Sequence, residues 1–255
     1  MDEDCKSFLD YFFNRAQISD GLTQTGSTTE ALILSTTSLD SLGKIWAYHF
    51  ADEASQLASA YGGGLSESQR LAHILKKFTG TEDIANRLAV VCFAEDWKKA
   101  DPQKASFIDS TLLAQRALEC EPRESPRAYL DVSLDELLAQ HPEIAVDPRL
   151  IRVAREYQYG AILYRMYRCP LIHSSLHSCH THGFARNEEV KYWRKSAVKT
   201  SIGFGPLLVT RWLRKVAEGL VHKCILSSIN PCLGVDPDVE QDRRLSNLWS
   251  TICKL

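Results

Sequence analysis

Apolar residues recur along this chain mainly at helical spacing, and that pattern carries most of what can be read about its architecture. Phe8, Tyr11, Phe12 and Phe13 predict a short helix over residues 5–18, followed by a polar loop, SDGLTQTGSTTE. Ser27 or Thr28 with Glu30 resembles a capping arrangement, and Ala31, Leu34, Leu39, Leu42, Ile45, Trp46 and Phe50 then form the stripe of a long helix over roughly 28–61. Gly62, Gly63 and Gly64 stop it; with no Lys-Ser/Thr after them and no strand before them, they are not a phosphate loop. Ser66 starts a helix whose Leu71, Ile74, Leu75 and Phe78 face inward, and a turn follows at 79–82. The apolar run IANRLAVVCFAED is too short for periodicity to separate a buried helix from a strand, and its Ala and Leu content favours helix. Between Pro102 and Pro148 five prolines loosen the pattern, leaving one short helix at Ser133-Leu-Asp-Glu-Leu-Leu with a capping box.

The stretch from Asp147 to His182 reads as one long amphipathic helix. Asp147 is placed to cap it, Pro148 suits its first turn, and Leu150, Ala154, Tyr157, Ala161 and Tyr164 recur on one face. Residues 183–200 are polar, with an extended segment suggested around Val190 to Trp193, and Ile202 to Pro206 reads as a turn. Pro206 opens a final helix reaching about Ser228, with Leu208, Trp212, Val216, Leu220 and Cys224 on its apolar face. These elements predict a mostly α fold with long helices and a short extended segment near 184–200. They predict a single domain over 1–255: an N-terminal helix and loop (1–26), a helical core (27–228) and a C-terminal tail (229–255).

Composition changes this picture little. With 255 residues the chain can bury a substantial core, and a formal net charge of −2 gives no global attraction to a polyanion, so a nucleic-acid surface would have to be local. Eight cysteines without a CxxC pair read as reduced thiols, which points to the cytoplasm and away from a disulfide framework. No run reaches the roughly 18 apolar residues of a membrane span, and no membrane partner is expected.

The candidate chemistry collects at the far end of the Asp147–His182 stretch, in ILYRMYRCPLIHSSLHSCHTH. Arg168 and His173 have Arg-x4-His spacing, found in metal-independent ribonucleases, and this is the one place in the chain where it occurs. Cys169, His173 and His177 repeat at i, i+4, i+8, as metal ligands on one helical face would. Their spacing, even with Cys179, His180 and His182, fits no structural zinc pattern, Pro170 interrupts the face, and no metal or other cofactor is expected. Arg186, Lys191, Arg194, Lys195 and Lys199 are interleaved with Tyr192 and Trp193, either a solvated flank with the two aromatics in the core or a surface that tracks a nucleic-acid backbone with the aromatics offering stacking. Arg211, Arg214 and Lys215 read as the solvated face of the last helix, and Tyr157, Tyr159, Tyr164 and Tyr167 as packing residues.

The run Leu163-Tyr164-Arg165, then Tyr167-Arg168-Cys169-Pro170-Leu171-Ile172-His173, resembles the signature of HEPN-domain proteins. The resemblance extends as general pattern over roughly 70–225, and the long helix carrying Leu39-Asp40-Ser41-Leu42 is similar to the first long helix of that all-α fold. It implies a HEPN-like helical bundle and a homodimer through the 147–173 helix, with two Arg and two His in one composite cleft. It also implies a metal-independent endoribonuclease, a toxin or phage-defence effector with RNA as substrate and a cognate antitoxin or defence-system protein as partner. His173 would move the proton of the RNA 2′-hydroxyl and Arg168 would hold the scissile phosphate, leaving a 2′,3′-cyclic phosphate, with Arg165, Cys169 and His177 as substrate contacts. Many active members carry Asn, Asp or His where this chain has Cys169. That departure suits an alternative, a non-catalytic HEPN-like module binding RNA, a nucleotide or a protein. Five residues on an ideal helix turn through about 140°, so Arg168 and His173 diverge within one chain and a partner helix would complete the site.

Overall fold

The computed structural model describes residues 3–80, 83–114, 128–174, 188–196 and 199–232. The described chain is mostly helical with one small two-stranded sheet, as the apolar pattern predicts.

Helices α1 (Glu3–Gln24), α2 (Thr28–His49) and the last long helix, Pro206–Leu226, pack against one another, and α4 (Glu67–Thr79) lies against both α2 and that last helix. The core they enclose holds Phe8, Phe12, Leu39, Leu42, Trp46, Ile74 and Leu75 with Leu208, Trp212, Val216, Leu220 and Cys224, so all five predicted positions of the last helix are buried. A smaller apolar cluster is built by α5 (Val90–Ala100), α6 (Ala105–Thr111), α7 (Leu134–Gln140), α8 (Pro142–Ala145) and α9 (Pro148–Arg155), around Phe93, Trp97, Ile108, Leu137 and Ile144.

Several of the sequence boundaries are corrected. Helix α1 runs to Gln24 through residues that read as loop, because its polar residues there find partners in other helices. The Ser19 hydroxyl is fully buried, donates to the Ala31 carbonyl at 3.0 Å, and meets Ser35 Oγ at 2.7 Å and Thr210 Oγ1 at 3.0 Å. Small hydroxyl residues at the crossing let three helices approach closely, and their mutual bonds satisfy the polar atoms they bury. The predicted 28–61 helix is broken at Phe50 into α2 and α3 (Ala51–Ala60), and Ser27 caps α2 without a side-chain hydrogen bond. The predicted helix from Asp147 is broken at Glu156–Gln158. There the chain crosses 87–89 in extended form, with Ala89 N–H donating to the Tyr157 carbonyl and Tyr159 N–H to the Arg87 carbonyl, both at 2.9 Å.

Other local signals are realised directly. Ser66 and Ser133 each form a reciprocal capping box, with Gln69 and Glu136, and Asp147 accepts the Arg149 N–H at 2.8 Å with Pro148 in the first turn. The extended segment expected near 184–200 is β1 (Val190–Ser196), antiparallel to β2 (Lys199–Phe204). Residues 202–204, expected to turn, belong to β2; only Gly205, the N-cap, separates the strand from the last helix.

His73, on α4, stacks on buried Trp46 with ring centroids 4.6 Å apart. Its burial, then the Lys77 ammonium, lowers the imidazole pKa to about 4, and among the described residues its shielded Nε2 has no hydrogen-bond partner. The unfolded chain therefore binds more protons than the folded one between pH 6.5 and 4, so stability falls as pH falls through that window. A loss of about 1–2 kcal/mol is expected between pH 7 and 4.5. Urea midpoints should fall for wild type and stay nearly flat for His73→Gln. Glu53 takes over at lower pH: burial alone would raise its carboxyl, but hydrogen bonds from Lys223 and Lys77 lower it to about 2.

Candidate functional site

After the crossing at 156–158 the chain re-enters a helix at α10 (Tyr159–Ile162), widens into a π-helical stretch over Leu163–Arg168, and returns to α geometry in α11 (Cys169–Ser174). Cys169 N–H reaches back five residues to the Tyr164 carbonyl. Pro170 gives the physical reason for the wide turn. It has no N–H to donate, and in a regular α-helix its ring would crowd the carbonyl of Met166 four residues earlier. The widened stretch is anchored from inside by Tyr167, which is fully buried, donates to the Ile202 carbonyl at 3.1 Å and accepts the Phe204 N–H at 3.3 Å.

Arg168 points from this stretch toward α2. Its Nη2 lies 3.2 Å from Oδ2 of Asp40, a carboxylate only 2% exposed. The same carboxylate receives Arg70 Nη2 from α4 at 3.4 Å and Lys44 Nζ, one turn along α2, at 3.4 Å. Gly43 gives the Arg70 stem its path: a Cβ there would stand 3.4 Å from Arg70 Cγ and Nε. The Arg168 guanidinium also lies 5.4 Å from the Tyr164 ring centre. Burial, with the neighbouring Cys169, Asp40 and Glu67 groups, raises the Tyr164 hydroxyl to about 12 against the opposing pull of Arg168. Among the described residues the Nε atoms of Arg70 and Arg168 are both shielded from solvent and without a hydrogen-bond partner.

No family model, curated protein or solved structure matches the chain.

The site is therefore read from its own residues. Of the five predicted site residues, Arg168 enters the cluster on Asp40, whereas His173, five positions on, is exposed on α11 beside a partly exposed Ile172. Cys169 is a half-buried free thiol next to Arg168. Arg165 is exposed and pairs with Glu156 Oε2 at 3.0 Å, not with the Asp40 cluster. His177 lies outside the described residues, as do Cys179, His180, His182 and Arg186 of the predicted histidine-rich and basic flanks. Among the described residues no group of three or more His, Cys, Asp or Glu could hold a metal ion, and no helix is long and apolar enough to cross a membrane.

The tyrosine series divides. Tyr159 and Tyr167 are core residues, Tyr157 donates to Asp96, and Tyr164 borders the Arg168 cluster. Tyr192 is buried, as the reading with two aromatics in the core has it, and donates to Asp131, as does Tyr159 at 2.7 Å. Lys215, placed on a solvated face, in part bonds Asp83 at 2.6 Å beside the Trp212 indole N–H at 2.9 Å.

Sequence reasoning missed Asp40, Lys44 and Arg70. One signal was available: Asp40 directly follows Leu39 and precedes Leu42 on the apolar stripe of α2, and a carboxylate placed there requires a cation from another element.

Proposed function

We propose that this protein is a metal-independent endoribonuclease that works as a homodimer, with Arg168 holding the scissile phosphate and His173 handling the proton of the 2′-hydroxyl. The observation that supports it best is the contrast between the two residues. Arg168 is fixed from behind by a buried carboxylate, and His173 stands free in solvent on the same helical segment. A guanidinium restrained before substrate arrives loses less freedom on engaging a phosphate, and an exposed imidazole is open to a substrate hydroxyl. The exposed Ile172 beside His173 supplies an apolar point at which a second copy of α11 could pack. In this reading the enzyme acts in the cytoplasm as a toxin or defence effector, restrained by a cognate antitoxin or defence-system partner.

The test uses labelled single-stranded RNA in EDTA. Wild type should cleave it to 2′,3′-cyclic phosphate ends, His173→Ala should lose at least about 100-fold in rate, and light scattering should give the mass of two chains. Cleavage that survives the substitution sinks this reading, and loss of cleavage in EDTA alone would transfer the chemistry to a metal. The second reading, a non-catalytic module binding RNA, a nucleotide or a protein, is favoured by one specific feature: the position after Arg168 is the half-buried thiol of Cys169. Binding without cleavage would establish it.

A further inference from the structure

We infer that Arg70 and Arg168 together form a binding site for a phosphate group, with Asp40 as the residue that positions both. The inference rests on the ribonuclease reading only for the molecule that carries the phosphate.

Three cations, Lys44, Arg70 and Arg168, converge on the single buried carboxylate of Asp40. Even with Glu67, whose charge reaches Tyr164, cations outnumber carboxylates around this point. A purely structural ion pair needs one cation for one carboxylate, and each additional buried cation raises the desolvation cost without further compensation. The arginines are also not consumed by their contacts with Asp40. Arg168 meets it at ion-pair distance, and among the described residues its guanidinium makes no hydrogen bond; Arg70 makes one, at 3.4 Å. Among the described residues both Nε–H groups are shielded from water and lack an acceptor. Two planar forks with spare donors, held by one carboxylate behind them and 15% and 20% exposed, suit an oxyanion with several acceptor atoms, which a phosphate supplies. Lys44 is nearly half exposed at the rim and would add charge without shape.

Asp40 then has a role whose sign can be tested. Asp40→Asn removes the carboxylate that orients both arginines, so phosphate binding and RNA cleavage should both fall while the variant still melts like wild type. A residue that matters only for folding would lower the melting temperature as well.

The experiment uses the full chain carrying His173→Ala, so that binding is read without cleavage. Polarisation of a labelled oligoribonucleotide without terminal phosphates tests a backbone diester, and titration with a nucleoside 5′-monophosphate tests a terminal phosphate. Arg70→Gln should weaken one of the two by roughly 10-fold or more. In the oligonucleotide arm it should also flatten the slope of log affinity against log salt by about 0.7. Arg70→Lys keeps the charge on Asp40 and loses the fork, so it serves if Arg70→Gln melts early, and it should still weaken binding several-fold. Unchanged binding of both probes by both variants overturns the site, and an Asp40→Asn variant that melts like wild type and binds the phosphate as well as wild type overturns the positioning role of Asp40. Arg70-dependent binding by a wild type that cleaves no RNA would remove the ribonuclease reading and leave the site standing. Cleavage, with binding of both probes, indifferent to Arg70 would remove the site and leave the ribonuclease reading.

Discussion

Gly160→Ala should be among the most damaging single substitutions in this chain, although it adds one methyl group and raises helix propensity. A Cβ at Gly160 would lie 2.5 Å from Ala72 Cα and 2.8 Å from Ala72 N, with Leu75 Cδ1 at 3.0 Å. The obstacle is α4 backbone, which no rotamer change can move aside. To relieve it, α10 must shift away from α4, carrying with it the buried residues Ile162, Leu163 and Tyr167. Overpacking of this kind costs typically 1–3 kcal/mol, and a clash with backbone belongs at the upper end. A loss of about 3 kcal/mol, or roughly 6–12 °C in Tm for a chain of this length, is expected in thermal unfolding followed by circular dichroism. The control is Gly21→Ala inside α1, where nothing lies within 4 Å. It should raise stability by about 0.5–1 kcal/mol. Equal Tm values for the two variants would contradict the packing of α10 on α4.

The second large effect is expected at Asp131. Its carboxylate is buried and joins three segments: the start of α10 through the Tyr159 hydroxyl at 2.7 Å, β1 through the Tyr192 hydroxyl, and the first turn of α5 through Val90 N–H at 3.2 Å. Both tyrosines have hydroxyls raised well above their ordinary range, by burial first and then by the Asp131 charge, so they remain donors throughout the physiological range. Asp131→Ala leaves two hydroxyls and one N–H without this acceptor. At about 1–3 kcal/mol for each buried group left unsatisfied, a total loss on the order of 4 kcal/mol is expected. Tyr159→Phe and Tyr192→Phe should each cost about 1–1.5 kcal/mol. A double-mutant cycle should show them coupled through the shared carboxylate. If the tyrosine variants cost nothing and Asp131→Ala is as stable as wild type, the junction does not hold these segments together.

These two sites also mark where the sequence was legible and where it was not. Caps are local, and so Ser66, Ser133, Asp147 and Pro148 could be read from a few neighbouring letters. The buried face of the last helix was legible because five apolar residues repeat at four-residue intervals. The break at Glu156–Gln158 was not, since its backbone is claimed by residues 87–89, some 70 positions away in sequence, and the helical periodicity passes through it uninterrupted. The length of α1 was illegible for a similar reason: Ser19 looks like loop until Thr210 is placed beside it. At the candidate site, Arg168 and His173 were visible as a spaced pair. Asp40 and Arg70 come from other helices, and only the fold brings them to Arg168.

The packing of the last helix on the first two also governs how the protein is made. Helices α1 and α2 are made before the last helix, and the apolar surface they bury against Leu208, Trp212 and Leu220 arrives about 160–210 residues later. At ordinary synthesis rates that delay is roughly 10–40 s. Through that interval Phe8, Phe12 and Trp46 lack their final partners on the last helix, and their apolar surface stays open to association with other chains.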